Sequence, residues 1–442
     1  YCLLSRGLGD VYKRQGNNQA LGSGGLAVAS ASTLASSQAV TLANTVNLAS
    51  NLTVAGANDL RLNGVIGSTG AFKLIKTGSG NLTLAAANTF TGGIDLNGGT
   101  LTLATNSGVL GSGTLTVTGN SRLAFDVPLN TSTPIVINSG TTLDLGVNQD
   151  VLLFSAFSGG GNLTKTGTAE VTLFQTGSLG GQVDIQAGKL TALASNALGS
   201  GVPVNIASGA TLNLAADTAL GALTGSGQLQ VTSGAISLGN GNATSTFSGA
   251  ITGSTSSGMS KVGSGTLTLA GVNPFTSSLV VSAGRLHLNS TASLASSNVS
   301  VLNGATVSGT GSFGGSVSIN NGAHLVVSSG GTLSAGSLNL AAGSTVDVAL
   351  GAPSLTSLVS VSNNLTLQST QFSFSRLASI DNGVYRLFSY GGSLNNLGAS
   401  ISALPTDFLP GEITLQYVAG GVNAIVNSLS LATQYWDGTG PL

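Results

Sequence analysis

Apolar and small polar residues alternate along this chain in short bursts: LTL at 82–84, IDL at 94–96 and LTL at 101–103, with Gly, Asn or Ser between them. A period of two predicts strands with one buried face, and bursts of three to five residues predict that the strands are short. The stretch KTGSGNLTLAAANTFTGGIDLNGGTLTL at 76–103 aligns without a gap with KTGTAEVTLFQTGSLGGQVDIQAGKLTA at 165–192 and with KVGSGTLTLAGVNPFTSSLVVSAGRLHL at 261–288. The apolar columns are Leu82/Val171/Leu267, Leu84/Leu173/Leu269, Phe90/Leu179/Phe275, Ile94/Val183/Leu279, Leu96/Ile185/Val281 and Leu101/Leu190/Leu286. A second phrase recurs as ALGSGGLAV at 20, VLGSGTLTV at 109 and ALGSGVPV at 197, spaced by 89 and 88 residues. Lys76 and Lys165 are also 89 apart, while Lys165 and Lys261 are 96 apart, so the last unit carries an insertion.

Short strands returning about every 20 residues, with no helical pattern between them, predict an all-β fold, a parallel β-solenoid. One coil cannot bury its own apolar face, so neighbouring coils stack and share a continuous core. At about 4.8 Å per coil, roughly twenty coils would form a rod on the order of 100 Å long. Leu84, Leu173 and Leu269 are expected to point inward, and Thr83, Thr172 and Thr268 outward. Asn88 and Asn273 share the column before the aromatic, where a left-handed bend is expected. The repeat region runs over 16–350. The region 351–430 gains aromatics in DNGVYRLFSYGG, LPTDFLPG and ITLQYVAGGVNAIV. It is expected to end or cap the solenoid, with 431–442 as the truncated start of a next module.

Composition sharpens this picture. Charged residues make up 6% of the chain, against about 25% in ordinary domains. Glycine is abundant, at 66 residues. The mean hydropathy of +0.38 is high, yet Thr, Ser, Asn and Gly interrupt every apolar run well short of the roughly 18 residues of a membrane-spanning helix. With 13 Lys+Arg against 14 Asp+Glu there is no basic surplus, which argues against nucleic acid or an anionic membrane as partner. Residues 1–15, YCLLSRGLGDVYKRQ, are unlike the rest and hold the only Cys, Cys2. Ser5 to Gln15 reads as an in-frame translation of a common transposase sequencing adapter, so 1–15 is expected to be an artefact that replaces the authentic start.

Candidate chemistry is sparse. Asp95 and Asp184 occupy equivalent repeat positions 89 residues apart. Stacked four coils apart they would be about 19 Å from one another, too far for paired acid–base work. Asp144 and Asp150, with Asp126 nearby, could share a rim but read as solvated turn carboxylates. His287 and His324 are the only histidines and make neither a triad nor a metal site. The Gly-rich phrases lead into strands, not helices, and so lack a dinucleotide fingerprint. No GGxGxD array for calcium occurs. No catalytic, cofactor-binding or metal residue is expected, and the reading is of a non-enzyme without cofactors.

The phrases GAFKLIKTGSGNLTLAAANTFTGGIDLNGGTL and SGMSKVGSGTLTLAGVNPFTSSLVVSAGRL resemble the autotransporter-associated β-strand repeat, also called the passenger-associated transport repeat. The middle copy departs from it at Thr168-Ala169-Glu170 and at Gly177, which stands where the others have Asn. The resemblance implies a right-handed parallel β-helix carried to the bacterial surface and displayed or released there. It implies a signal peptide missing from this sequence and an outer-membrane anchor that lies outside it. The expected role is a non-catalytic stalk or adhesion scaffold meeting host surfaces, neighbouring cells or glycans. The alternatives are a β-helical polysaccharide lyase or hydrolase, which needs three acidic residues on adjacent coils beside a groove, and an ice-binding solenoid, which needs strict T-x-T ranks.

Overall fold

The computed structural model describes residues 2–4, 11–128, 130–254, 256, 258–295 and 298–428. Residues 5–10 of the expected adapter segment and the whole of 431–442 lie outside the described residues. The chain divides into two units, Tyr1–Ser277 and Ser278–Leu442. Among the described residues there is no α-helix, only a 3-10 turn at Asn240–Asn242. Among the described residues no helix is long and apolar enough to cross a membrane.

In the first unit the strands bond in parallel to strands one coil before or after them, in ladders. One ladder runs Leu52, Leu74, Ile94, Leu115, Ile135, Phe157, with partners 20 to 22 residues apart. A second runs Leu101, Leu123, Leu145, Lys165, Ile185, Ile206. A third runs Val151, Val171, Leu190, Leu212, Leu229, Ile251. Three ladders facing one another make a three-sided coil whose interior is filled by the inward member of each alternating pair. The six repeat columns are all buried, with Leu84, Leu173 and Leu269 no more than 1% exposed. Burying such side chains contributes about 2 kcal/mol each. The alternate threonines take the other face, but Thr83 and Thr172 are themselves only 7% and 9% exposed. Arg61 and Thr102 lie in register with Thr83 on the coils before and after it and cover it.

The second unit continues the same logic through Leu286, Val307, Leu325, Val346 and Phe372. Its last strands are longer: Thr370–Arg376 and Gly383–Tyr390. Gly383–Tyr390 pairs antiparallel with Gly421–Val426, which folds back on Ile413–Val418 as a hairpin. Phe372 packs edge-on against Phe388 at 6.1 Å beneath this reversal. Of the aromatics noted in the sequence, Tyr385, Phe388 and Phe408 are buried, whereas Tyr417 on the hairpin is 40% exposed.

Two positions show what glycine does here. Gly167 has φ +78°, and an added Cβ would lie 1.9 Å from the Val147 carbonyl oxygen of the preceding coil. Gly209 has φ +80° with nothing within 4 Å. Gly209→Ala pays only the left-handed backbone cost of about 1 kcal/mol, whereas Gly167→Ala must also push two coils apart and is expected to cost at least about 3 kcal/mol. Chemical denaturation of the two variants checks the difference.

Candidate functional site

The sequence candidates do not converge. Asp95 lies on the ladder of Ile75 and Thr116, and Asp184 on the ladder of Thr164 and Asn205. Their expected stacking four coils apart is therefore corrected. Four coils from Leu74 end at Phe157, so an 89-residue step overshoots by a strand and moves the equivalent residue to the next face. Asp95 accepts from Lys73 at 2.9 Å. Asp184 accepts from Gln186 at 2.8 Å and Asn205 at 2.7 Å. Asp144 pairs with Arg122 at 2.7 Å and accepts from Thr166. Asp150 accepts from the Glu170 N–H, and Asp126 faces Arg61 at 3.8 Å. Each of these carboxylates has its own partner, and no trio faces a common groove. Among the described residues no group of three or more His, Cys, Asp or Glu is arranged to hold a metal ion.

His287 and His324 stand on different columns. His287 Nδ1 meets Ser308 Oγ at 2.9 Å, and burial followed by Arg285 lowers its pKa. His324 Nδ1 meets Asp347 at 2.7 Å. The register that carries His287 to Ser308 continues to Val326, not to His324. Both are two-residue contacts on the outer face, and neither extends to a third member.

The polar groups that do recur are inside. Lys76 is 2% exposed, Lys165 0% and Lys261 1%, each at a core position of its ladder. Lys165 stands between Leu145 and Ile185, and Lys76 between Val54 and Leu96. A buried ammonium needs all three protons accepted. Lys165 Nζ donates to the carbonyls of Thr166, Gly167 and Ala187 at 3.1, 2.8 and 3.0 Å. Lys76 Nζ donates likewise to Thr77, Gly78 and Gly98, and Lys261 Nζ to Val262 and Gly263. Gly78, Gly167 and Gly263 all have positive φ. That turn swings the carbonyl two residues on back toward the amine, which is the physical reason for the K-x-G spacing. Sequence reading passed over these lysines, although parity marks them: Leu74, Leu163 and Met259 point inward, so the residue two further on must as well.

Burial lowers the pKa of Lys76 and Lys165 to about 8, and that of Lys261 in the same direction. A folded-state value below the unfolded value near 10.5 means that the unfolded chain holds more protons between the two. Stability is therefore expected to rise as pH increases from about 8 toward 10.5. A series of urea titrations across that window checks the sign, and the rise should shrink in Lys165→Met.

The repeat asparagines are also internal. Asn88 is 7% exposed and Asn273 0%, and neither has the expected left-handed backbone. The side chains explain the correction. Asn88 Oδ1 accepts the Ile66 N–H at 2.8 Å on the coil before, and Nδ2 donates to the Val109 carbonyl at 2.6 Å on the coil after. Asn273 Oδ1 accepts the Ile251 N–H at 3.0 Å, again one coil back. Asparagine is needed for its donor and acceptor, not for a bend.

The segments that carry these lysines and asparagines, residues 74–103 and 259–288, match the family model of the passenger-associated-transport-repeat. The chain carries passenger-associated transport repeats. It is also 34% identical over 232 residues to the adhesin BmaC autotransporter of Brucella suis biovar 1 (strain 1330), a match covering 48% of this chain and 6% of that protein. The chain thus spans a small part of its relative's length. No solved structure matches.

The middle copy lies outside the two matched segments. It keeps Lys165 but has Gly177 in the asparagine column; the Gly177 N–H donates to the Asn196 carbonyl at 3.1 Å as the Asn88 N–H does to the Gly108 carbonyl at 2.8 Å, so this copy keeps the backbone bond and lacks the side-chain clamp. Between repeats, exposed turns use the same device: Asn51, Asp59, Asn120 and Asn162 each accept a backbone N–H from the next coil, at 2.8 to 3.0 Å. The repeat's distinctive residues therefore bind the chain to itself.

Proposed function

We propose that this chain is a stretch of a bacterial surface passenger, displayed outside the cell, whose solenoid is a non-catalytic stalk or adhesion scaffold. The observation that carries this reading is the use of Lys76, Asn88 and Asn273, inside the two matched repeats, to satisfy backbone groups of neighbouring coils, and of Lys261 to satisfy the carbonyls of its own turn. Repetition here adds length and surface without adding chemistry. The resemblance to an adhesin supports contact with a host or neighbouring-cell surface or its glycans. In this reading 16–350 is the repeat scaffold, 351–430 its closing region, 431–442 the opening of another module, and 1–15 an adapter translation.

The test is adhesion without turnover. Beads coated with the chain are expected to be retained on epithelial or bacterial lawns under flow, while incubation with a panel of polysaccharides releases no reducing ends or unsaturated products. Release of either product would sink the non-catalytic reading, and loss of retention would sink the adhesive one.

A further inference from the structure

The tripeptide Asn-Leu-Thr occurs four times, at 51–53, 81–83, 162–164 and 364–366. Strand alternation explains its last two members. Leu52, Leu82, Leu163 and Leu365 are all buried in the core, and the threonine that follows each takes the outer face. At three of the four places the asparagine oxygen clamps the next coil. Asn51 Oδ1 accepts the Lys73 N–H at 2.9 Å, Asn162 Oδ1 the Gln182 N–H at 2.8 Å, and Asn364 Oδ1 the Ser393 N–H at 3.0 Å. This clamp uses only an oxygen. Asp59, Asp150 and Asp217 make it equally well, to the N–H groups of Asn81, Glu170 and Ala235. The amide nitrogen of Asn51, Asn162 and Asn364 is therefore surplus to the fold.

The surroundings divide the four copies. Asn51, Asn162 and Asn364 are exposed. Among the described residues no hydrogen bond engages Nδ2 of these three, or the hydroxyl of Thr53, Thr164 or Thr366. Asn81 is the contrast. Its Nδ2 donates to Thr83 Oγ1 at 3.2 Å, its Oδ1 accepts from Thr102 Oγ1 at 2.8 Å, and Thr83 is only 7% exposed. One tripeptide thus stands open at three places and closed at one. Asn-x-Thr, with x other than proline, is the acceptor sequence for N-linked sugar on surface segments of exported proteins. Its two reacting requirements, a free amide nitrogen and a reachable hydroxyl two residues on, are met together only at the three open copies.

We infer that Asn51, Asn162 and Asn364 are acceptor sites for an N-linked hexose, and that Asn81 is shut to it in the folded chain. In the transfer Nδ2 attacks the anomeric carbon of a nucleotide-activated hexose. The C–N bond forms as the bond from that carbon to the diphosphate oxygen breaks. The nucleoside diphosphate leaves with the bonding pair, and one amide proton passes to a base of a separate transferase. Oδ1 takes no part and keeps its backbone N–H, so the sugar is added without loss of the clamp. The inference goes beyond the adhesion reading, since it concerns what is attached to the chain and not what the chain attaches to.

A soluble bacterial N-glycosyltransferase with UDP-glucose, applied to the folded chain and to its protease digest, tests this by peptide mass spectrometry. In the digest all four Asn-Leu-Thr peptides are expected to take hexose at similar rates. In the folded chain Asn51, Asn162 and Asn364 are expected to react about tenfold or more faster than Asn81, whose hydrogen bonds must first open. Asn51→Asp, Asn162→Asp and Asn364→Asp together are expected to remove the hexose from these sites and leave the urea unfolding curve in place, because the carboxylate keeps the clamp. Thr53→Ala is expected to remove it from Asn51 alone. A folded chain that takes no hexose at the three sites overturns the inference, as does Asn81 reacting as fast as they do. A digest that takes none at any Asn-Leu-Thr overturns the tripeptide as acceptor. A digest in which Asn81 still lags by the same factor assigns the difference to flanking sequence and overturns the part given to the fold.

Discussion

Lys165→Ala is expected to destabilise the first unit by about 4 kcal/mol, because it combines a core cavity with several stranded carbonyls. The four-carbon stem fills a column between Leu145 and Ile185, and Nζ occupies the focus of the Thr166, Gly167 and Ala187 carbonyls. Two effects can be separated by a second variant. Lys165→Met keeps most of the stem, removes the ammonium and also removes the cost of keeping that charge out of water. It is expected to cost about 1–2 kcal/mol, so packing outweighs the carbonyl contacts. Because a solenoid unfolds by segments, the readout is hydrogen exchange of the Leu145 and Ile185 amides alongside urea denaturation. Equal losses in Ala and Met would mean that the carbonyl clasp dominates, and would reverse the ordering of the two effects.

Much of this architecture was legible in the sequence because its two governing periods are simple. The period of two fixed the inward columns, and all six are buried. The return of the pattern every twenty or so residues fixed the parallel stacking. What escaped was phase. An 89-residue repeat looks like four whole coils, but real coils of 20 to 22 residues leave a remainder of one strand. Equivalent aspartates therefore change face, and no count of residues made before the coil length was known could show it. The lysines escaped for another reason. A charge in an alternating strand is read by habit as solvent-facing, and at 76, 165 and 261 parity says otherwise.

The asparagine columns lead to the second large effect. Asn88→Ala strands the Ile66 N–H and the Val109 carbonyl together, in a site 7% exposed. Two buried backbone groups without partners are expected to cost about 2–4 kcal/mol. Asn88→Asp is the sharper probe, because it keeps the acceptor for Ile66 and loses the donor for Val109. At neutral pH it also buries a carboxylate facing a carbonyl oxygen, and it is expected to be less stable than the Ala variant. Burial and that oxygen both raise the folded-state pKa of the new carboxyl above its unfolded value near 3.9. The folded chain then holds more protons between the two values, so the variant's stability falls as pH rises through that window and is greatest below it. In acid the protonated carboxyl has a hydroxyl to offer Val109, and the variant should approach wild type. Hydrogen exchange of the Ile66 amide at acid and neutral pH measures this. A pH-independent loss would mean that Asn88 serves by shape alone, and the reading of the repeat asparagine as a clamp between coils would fail.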